Sequence, residues 1–327
     1  MERILRNSRV LVTGGAGFIG SNLIESLLNT GNQVVCLDNF ATGKRVNLKD
    51  FVNNPHFKLI EGDIRNYDDC EKSVTNIDVV FHQAALGSVP RSIKDPVSST
   101  DVNIGGFVKI LFASKDAGVK RFIYAASSST YGDRPDLPKV EDKIGSPLSP
   151  YAITKYVDEL FADNFSKTYG VEVIGLRYFN VFGRRQDPDG AYAAVIPKFV
   201  KMLMKHEVPL INGDGSISRD FTYIDNVIQA NHLASVVQNT DAINQVYNVA
   251  HGERTTLNQL YSYIRDLAGK FDKEILAIEP IYGPDRVGDI AHSLASIEKA
   301  RRLLGYSPSI NVSEGLKEAV EWFWNNL

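Results

Sequence analysis

The stretch "RVLVTGGAGFIGSNLIESLLNTG", residues 9 to 31, constrains the fold more than any other part of the chain. A short run rich in β-branched residues leads into closely spaced glycines, which open directly into a segment with helical spacing that Gly31 ends. Gly15, Gly17 and Gly20 fit G-x-G-x-x-G in the context that gives the pattern meaning, with a strand before it and a helix after it. Glycines so placed let backbone amides approach a pyrophosphate at the positive end of a helix.

The same alternation continues downstream. "QVVCLD" (33 to 38), "FKLIEGDI" (57 to 64), "VVFHQAA" (79 to 85), "RFIYAAS" (121 to 127) and "EVIGLRYF" (172 to 179) read as strands, and helical stretches such as 150 to 169 separate them. Strands alternating with helices predict right-handed βαβ units and a doubly wound parallel sheet covered on both faces. After residue 180 the regularity gives way to loops such as "GRRQDPDG" and "INGDG", with helices expected near 257 to 268 and 312 to 325. "DFTYIDNVIQANHLASVV" followed by "VYNVA" reads as a helix and strand that rejoin the first domain. The expected division is a dinucleotide-binding domain of residues 1-179 and 217-250, and a substrate-binding domain of residues 180-216 and 251-327.

At 327 residues, with 43% hydrophobic and 23% charged side chains, the chain can bury a sheet of this size. A net charge of -3 offers no basic footprint for nucleic acid and no cationic face for a membrane. No apolar run is long enough to span a bilayer, and the polar start "MERILRNSR" has no signal-peptide core, so a cytoplasmic location is expected. Cys36 and Cys70 lack metal-ligand spacing and the six histidines are scattered, which predicts no metal site and two inert thiols.

Asp38 ends the second predicted strand. A carboxylate there accepts hydrogen bonds from the adenosine ribose and repels a 2′-phosphate, which favours NAD over NADP. Asp63, in "GDIR", also ends a strand and suits either adenine contact or a simple turn. In "PYAITKY", Tyr151 and Lys155 share one helix face. A phenol ordinarily titrates near ~10, and a cation held close favours its ionised form, so Tyr151 can serve as a base. Lys155 is also placed to reach the nicotinamide ribose. Such pairs are common on surface helices; this one lies downstream of a dinucleotide loop and of the serine cluster "AASSSTYG".

Taken together, "TGGAGFIG", "HQAA", "SSSTYG", "YAITK" and "RYFNVFG" resemble the extended short-chain dehydrogenase/reductase family over essentially the whole chain. The resemblance implies a Rossmann-type doubly wound α/β fold with a smaller C-terminal α/β domain for a nucleotide-sugar. It implies that Tyr151 and Lys155 are catalytic, with Ser127 four residues before Tyr131 as their partner and Ser128 and Ser129 as understudies. For tightly bound NAD it implies Gly14, Gly17, Phe18, Ile19, Gly20 and Asp38. It adds Asn39, Asp63, Ile64, Ala84 and Ala85, and finally Asn103 and Tyr178 alongside Tyr151 and Lys155.

Members that release water or carbon dioxide resemble one another in an acidic residue just before the "YG" tyrosine, because elimination needs an extra acid. Here those positions are Ser128 and Ser129. The implied chemistry is therefore reversible oxidation of a carbinol, as in 4-epimerases working through a transient 4-keto sugar. "GSVPRS" and "YFNVFGRRQDPDGAYAAVIPKF" are similar to the branch acting on N-acetylated UDP-sugars, here UDP-N-acetylglucosamine and UDP-N-acetylgalactosamine. For that substrate the resemblance implies Ser88, Arg91, Ser127, Asn180, Ala194 and Val195. It adds Arg219 and Arg286, whose planar forks suit a diphosphate, with Asp289 beside them. Ser293 stands where epimerases restricted to UDP-glucose and UDP-galactose carry a tyrosine, and reads alternatively as an N-cap for the following helix. A homodimer through helices 98 to 116 and 150 to 169 is also implied. Other readings are the corresponding uronic acid or UDP-glucose as substrate, a dehydratase or decarboxylase, and a non-catalytic NAD-binding regulator, which has no use for Tyr151, Lys155 and Ser127.

Overall fold

The structure, a computed structural model, describes residues 3–189, 194–284 and 292–327. Seven strands form one parallel sheet: β1 (Arg9–Thr13), β2 (Gln33–Asp38), β3 (Phe57–Glu61), β4 (Val79–His82), β5 (Arg121–Ser127), β6 (Val173–Tyr178) and β7 (Gln245–Val249). Their order is β7-β6-β5-β4-β1-β2-β3. β1 pairs with β2 on one side and β4 on the other, so the winding reverses between β1 and β4 and leaves a crevice beyond the carboxyl ends of the strands. A sheet covered on both faces explains strands apolar at nearly every position: β4 and β6 are buried throughout.

Successive side chains alternate between two cores. Val10, Val12, Phe81 and Ile123 face helix α1 (Phe18–Asn29), while Leu11, Val80 and Phe122 face the opposite layer. That layer contains α2 (Tyr67–Val74), the short α3 (Val89–Lys94) and α4 (Pro96–Thr100), then α5 (Phe107–Asp116) and the long α6 (Pro150–Tyr169). The first core runs without a break into the later part of the chain. There α7 (Val195–Met204), α8 (Ile224–Val236), α9 (Leu257–Ala268), α10 (Glu298–Leu304) and α11 (Val312–Asn326) contribute Phe199, Val227, Leu260, Leu304 and Phe323.

Two local features position the site. α6 starts where Ser149 accepts from the Ala152 amide, with Pro150 in the first turn, and stops at Gly170 in the left-handed conformation, φ 70°. The helix expected over 98 to 116 is present and helical throughout, but residues 101–106 widen into a π-turn between α4 and α5. Gly106 packs against Ile64 so closely that a Cβ would lie 2.5 Å from its Cδ1, and Asn103 is carried inward on this turn.

Candidate active site

β1 ends at Thr13 and the chain turns through Gly14 at φ +66°. A Cβ on Gly14 would stand 2.7 Å from the Ala84 Cα, and one on Gly20 only 2.2 Å from the Gly14 carbonyl oxygen. The loop, the start of α1 and the end of β4 thus pack closer than any side chain allows. Gly17 is the α1 N-cap and brings no side chain to the helix start. The adjoining cleft, about 570 Å³, is lined by Gly14, Gly17, Phe18, Ile19 and Gly20, by Asp38, Asn39, Asp63 and Ile64, and by Ala84 and Ala85. Asp38 accepts from the Ala16 and Phe40 amides, both at 2.8 Å, and burial raises its pKa against their pull. Asp63 is gripped by Arg65 at 2.7 Å and by Asn39 at 2.8 Å; chiefly the Arg65 hydrogen bonds hold its carboxyl down to about 2. A glycine cradle at a helix start, with a carboxylate beyond it on the next strand, fits a dinucleotide.

Asn103 and Tyr178 do not line this cleft. The Asn103 side chain accepts from the Leu86 amide at 2.8 Å and donates to the Thr154 Oγ1 at 3.1 Å, so it braces the loop after β4 against α6. The Tyr178 hydroxyl is buried with Asn231 and Gln83, 3.0 and 3.2 Å away, and burial pushes its pKa up to about 12.

Ser127, Ser129 and Lys155 gather at the end of β5, with Tyr151 one turn before Lys155 on α6. The Ser127 Oγ accepts from the Ser129 amide at 3.2 Å and from the Ser129 Oγ at 2.8 Å, while Ser128 opens the following 3-10 turn. Tyr131 pins that turn to β7 by donating to the Asn248 Oδ1 at 2.6 Å. α6 packs on β5, and the Lys155 ammonium donates to the Ala125 carbonyl at 3.0 Å, two residues before Ser127. Tyr151, one turn earlier and half-buried, gives its amide to the Ser92 Oγ at 3.0 Å. The sequence reading missed Asp158, whose Oδ2 lies 3.3 Å from the Lys155 Nζ; three-residue helical spacing from Lys155 was the available signal. α6 is locked to β6 by a buried pair, Arg177 holding both Glu159 oxygens at 2.8 and 2.7 Å.

A second pocket, about 330 Å³, contains Asn180, Ala194, Val195 and Arg219, with Gln186, Phe199, Phe221 and Leu257 as walls that the sequence reading did not anticipate. Asn180 adopts φ 36° and donates to the Asp220 carbonyl at 3.1 Å. Asp220 has no exposed surface and accepts from the amides of His251, Gly252 and Ala295. Burial pushes its carboxyl up to about 7, while those amides pull it the other way. The Ser293 amide donates to the Ser218 carbonyl at 3.1 Å, beside Arg219. Ser293 is not a helix N-cap: α10 begins only at Glu298, after Ile297. Ser88 caps α3, the short helix that carries Arg91, by accepting from the Arg91 amide, and the Ser92 contact to Tyr151 lies on the same helix. Arg286 and Asp289 lie outside the described residues. Among the described residues no group of His, Cys, Asp or Glu is placed to hold a metal ion, and no helix is long and apolar enough to cross a membrane.

Comparison with known proteins shows the family to which the chain belongs. The family model "NAD dependent epimerase/dehydratase family" matches residues 10–250. A curated relative from Methanocaldococcus jannaschii, a putative UDP-glucose 4-epimerase, is 37% identical over 97% of this chain and 99% of its own. The solved UDP-N-acetylglucosamine 4-epimerase from Methanobrevibacter ruminantium, in complex with UDP-N-acetylmuramic acid, superposes with a TM-score of 0.92 at 38% identity, over 99% of this chain and 100% of that one. The UDP-glucuronic acid 4-epimerase from Bacillus cereus, in complex with UDP-glucuronic acid and NAD, gives 0.88 at 32% identity, over 98% and 100%. With the match running from β1 through β7 and a glycine cradle shaped for its cofactor, the chain belongs to the NAD dependent epimerase/dehydratase family of NAD-using enzymes.

Proposed function

We propose that the chain is a 4-epimerase of UDP-N-acetylhexosamines, interconverting UDP-N-acetylglucosamine and UDP-N-acetylgalactosamine. The observation that carries this reading is the turn Ser127–Ser128–Ser129, which brings hydroxyls and no carboxylate to the end of β5 beside the Tyr151 and Lys155 helix. A serine at 293, where the family resemblance has UDP-glucose and UDP-galactose epimerases carry a tyrosine, supports the acetylated sugar; its amide donates to the Ser218 carbonyl next to Arg219.

NAD supplies the reversible two-electron acceptor that oxidation of the C4 carbinol requires. The Gly14–Gly20 loop and Asp38 would hold it. Tyr151 takes the proton of the sugar 4-hydroxyl and later returns it, and Ser127 donates a hydrogen bond to the same oxygen. Arg219 and Asn180 anchor the diphosphate, so that the 4-keto sugar turns about a fixed tether and presents its other face. With no acid at Ser128 or Ser129, the ketone has no route to lose water and returns as an alcohol. Exposed Phe112, Ile153, Leu160 and Tyr169 on α5 and α6 form the face we assign to a second copy of the chain; light scattering tests this, and a monomer at micromolar concentration overturns it.

The test is purified protein, without added NAD, given UDP-N-acetylglucosamine, its uronate and UDP-glucose separately, with products resolved by NMR. Fastest conversion of UDP-N-acetylglucosamine to the galacto isomer is expected. Fastest conversion of the uronate reassigns the substrate, and release of water or carbon dioxide overturns the epimerase.

A further inference from the structure

The Lys155 ammonium has three N–H donors. The protein engages two of them, through the Ala125 carbonyl at 3.0 Å and the Asp158 Oδ2 at 3.3 Å. Both members of the Lys155–Asp158 pair are inside the protein, with side chains 3% and 0% exposed. Asp158 makes no other hydrogen bond: its Oδ1 is buried without a partner among the described residues. A carboxylate kept for the fold looks different in this molecule. Glu159, the next residue, spends both oxygens on Arg177, and Asp220 accepts three backbone amides. Asp158 instead has one interaction, a costly kind to bury, and its partner is the lysine of the site.

We propose that Asp158 is a positioning residue: it fixes the Lys155 ammonium against the end of β5, and closing this ion pair sets how fast the proton moves at Tyr151. The proposal rests on the epimerase reading. An ammonium that acts on a neighbouring phenol must stand at a fixed place, and a displacement of about 1 Å in such a site costs on the order of 10²-fold in rate.

Charged and titratable groups surround the pair on several elements. Glu159 on α6 and Arg177 on β6 are paired with each other. Tyr124 on β5 is pushed well above its ordinary pKa by burial and by the nearby Glu159 and Asp158. His82 on β4 is driven down to about 3 by burial and by Lys155, so it stays neutral. Burial likewise pushes Asp158 up to about 7, against the pull of Lys155. The Asp158 carboxyl therefore loses its proton, and the ion pair closes, as pH rises through neutrality.

The test compares wild type, Asp158→Asn and Asp158→Ala, each checked for folding by thermal melting and for bound NAD. Wild-type kcat should rise through an inflection near neutral pH. Asp158→Asn keeps an acceptor oxygen but no charge, so it should stay near the low-pH kcat of wild type at every pH, with that inflection gone. Asp158→Ala should lose about tenfold or more in kcat with KM for the UDP-sugar nearly unchanged. A side-chain carboxyl ¹³C resonance missing from Asp158→Asn should titrate near neutrality in wild type. If one variant fails to fold, the other decides through the same profile. Wild-type epimerisation with an unmoved inflection in Asp158→Asn, or full kcat in Asp158→Ala, overturns the positioning role alone. A wild type that epimerises no UDP-sugar overturns the functional reading, and the carboxyl resonance still judges the ion pair.

Discussion

The cofactor cleft and the substrate pocket are built by different means. The cleft is framed chiefly by one sheet, with the glycines after β1, Asp38 at the end of β2, Asp63 after β3 and Ala84 after β4, while Asp95, Ser98 and Val102 flank it from the α4 side. The pocket has no such frame. Asn180 and Arg219 come from distant segments, joined through Asp220, whose carbonyl accepts from the Asn180 side chain and whose carboxyl accepts from the amides of residues 251, 252 and 295. Local geometry preforms the first site, whereas one buried carboxyl holds the second, so the two should fail separately.

The largest effect belongs to neither half. Tyr151→Phe should leave fold and bound NAD intact and lower kcat by about 10²–10⁴, the usual worth of a positioned base; an active variant breaks the mechanism for both halves. Ser293→Tyr should then act on the pocket alone. Turnover of UDP-N-acetylglucosamine is expected to fall by ~10–200-fold relative to UDP-glucose, because the phenol crowds only the acetamido group. Equal losses on both substrates show damage to the pocket as a whole. In the cleft, Gly20→Ala sets a methyl 2.2 Å from a backbone oxygen, and overpacking of this kind costs about 1–3 kcal/mol. NAD retention should fall by roughly 10–100-fold while calorimetric affinity for UDP holds; a loss of both removes the contrast between the halves.

The smallest effect is a slope. The Asp220 carboxyl, pushed up to about 7, keeps its proton in the folded chain at pH values where an unfolded aspartate, with a pKa near ~3.9, has already lost it. Folding stability therefore declines from this group as pH rises from about 4 to 7. Asp220→Asn lacks that decline, so its melting temperature should lie below that of wild type by a gap that narrows between pH 5 and pH 8. A gap independent of pH means that Asp220 is ionised throughout and that its amide donors outweigh burial.

The same contrast decides what was legible in the residues. All six strands expected up to residue 179, and the strand near 245, are present, because β-branched runs between glycines and helical spacing are local signals. The cleft followed for the same reason. Asn103 and Tyr178 fell behind it because their side chains are claimed by Leu86, Thr154, Asn231 and Gln83, partners that no spacing reveals. The helix expected over 98 to 116 is there, but its π-turn at 101–106, where Ile64 leaves no room for a Cβ at Gly106, has no signal in the spacing. The walls of the pocket, Phe199 and Phe221 among them, look in sequence like ordinary core residues, and nothing short of tertiary packing distinguishes them.

β7 is the last strand of the seven-stranded sheet to be made, yet it pairs with β6, which ends at Tyr178. While a ribosome synthesises residues 179 to 244, β6 is the edge of the growing sheet, with six apolar or fully buried positions and a free row of backbone groups. Such an edge is a template for another nascent chain. Gln245–Val249 covers that row and becomes the edge in its place, so the segment that completes the sheet also shortens this edge from six residues to five.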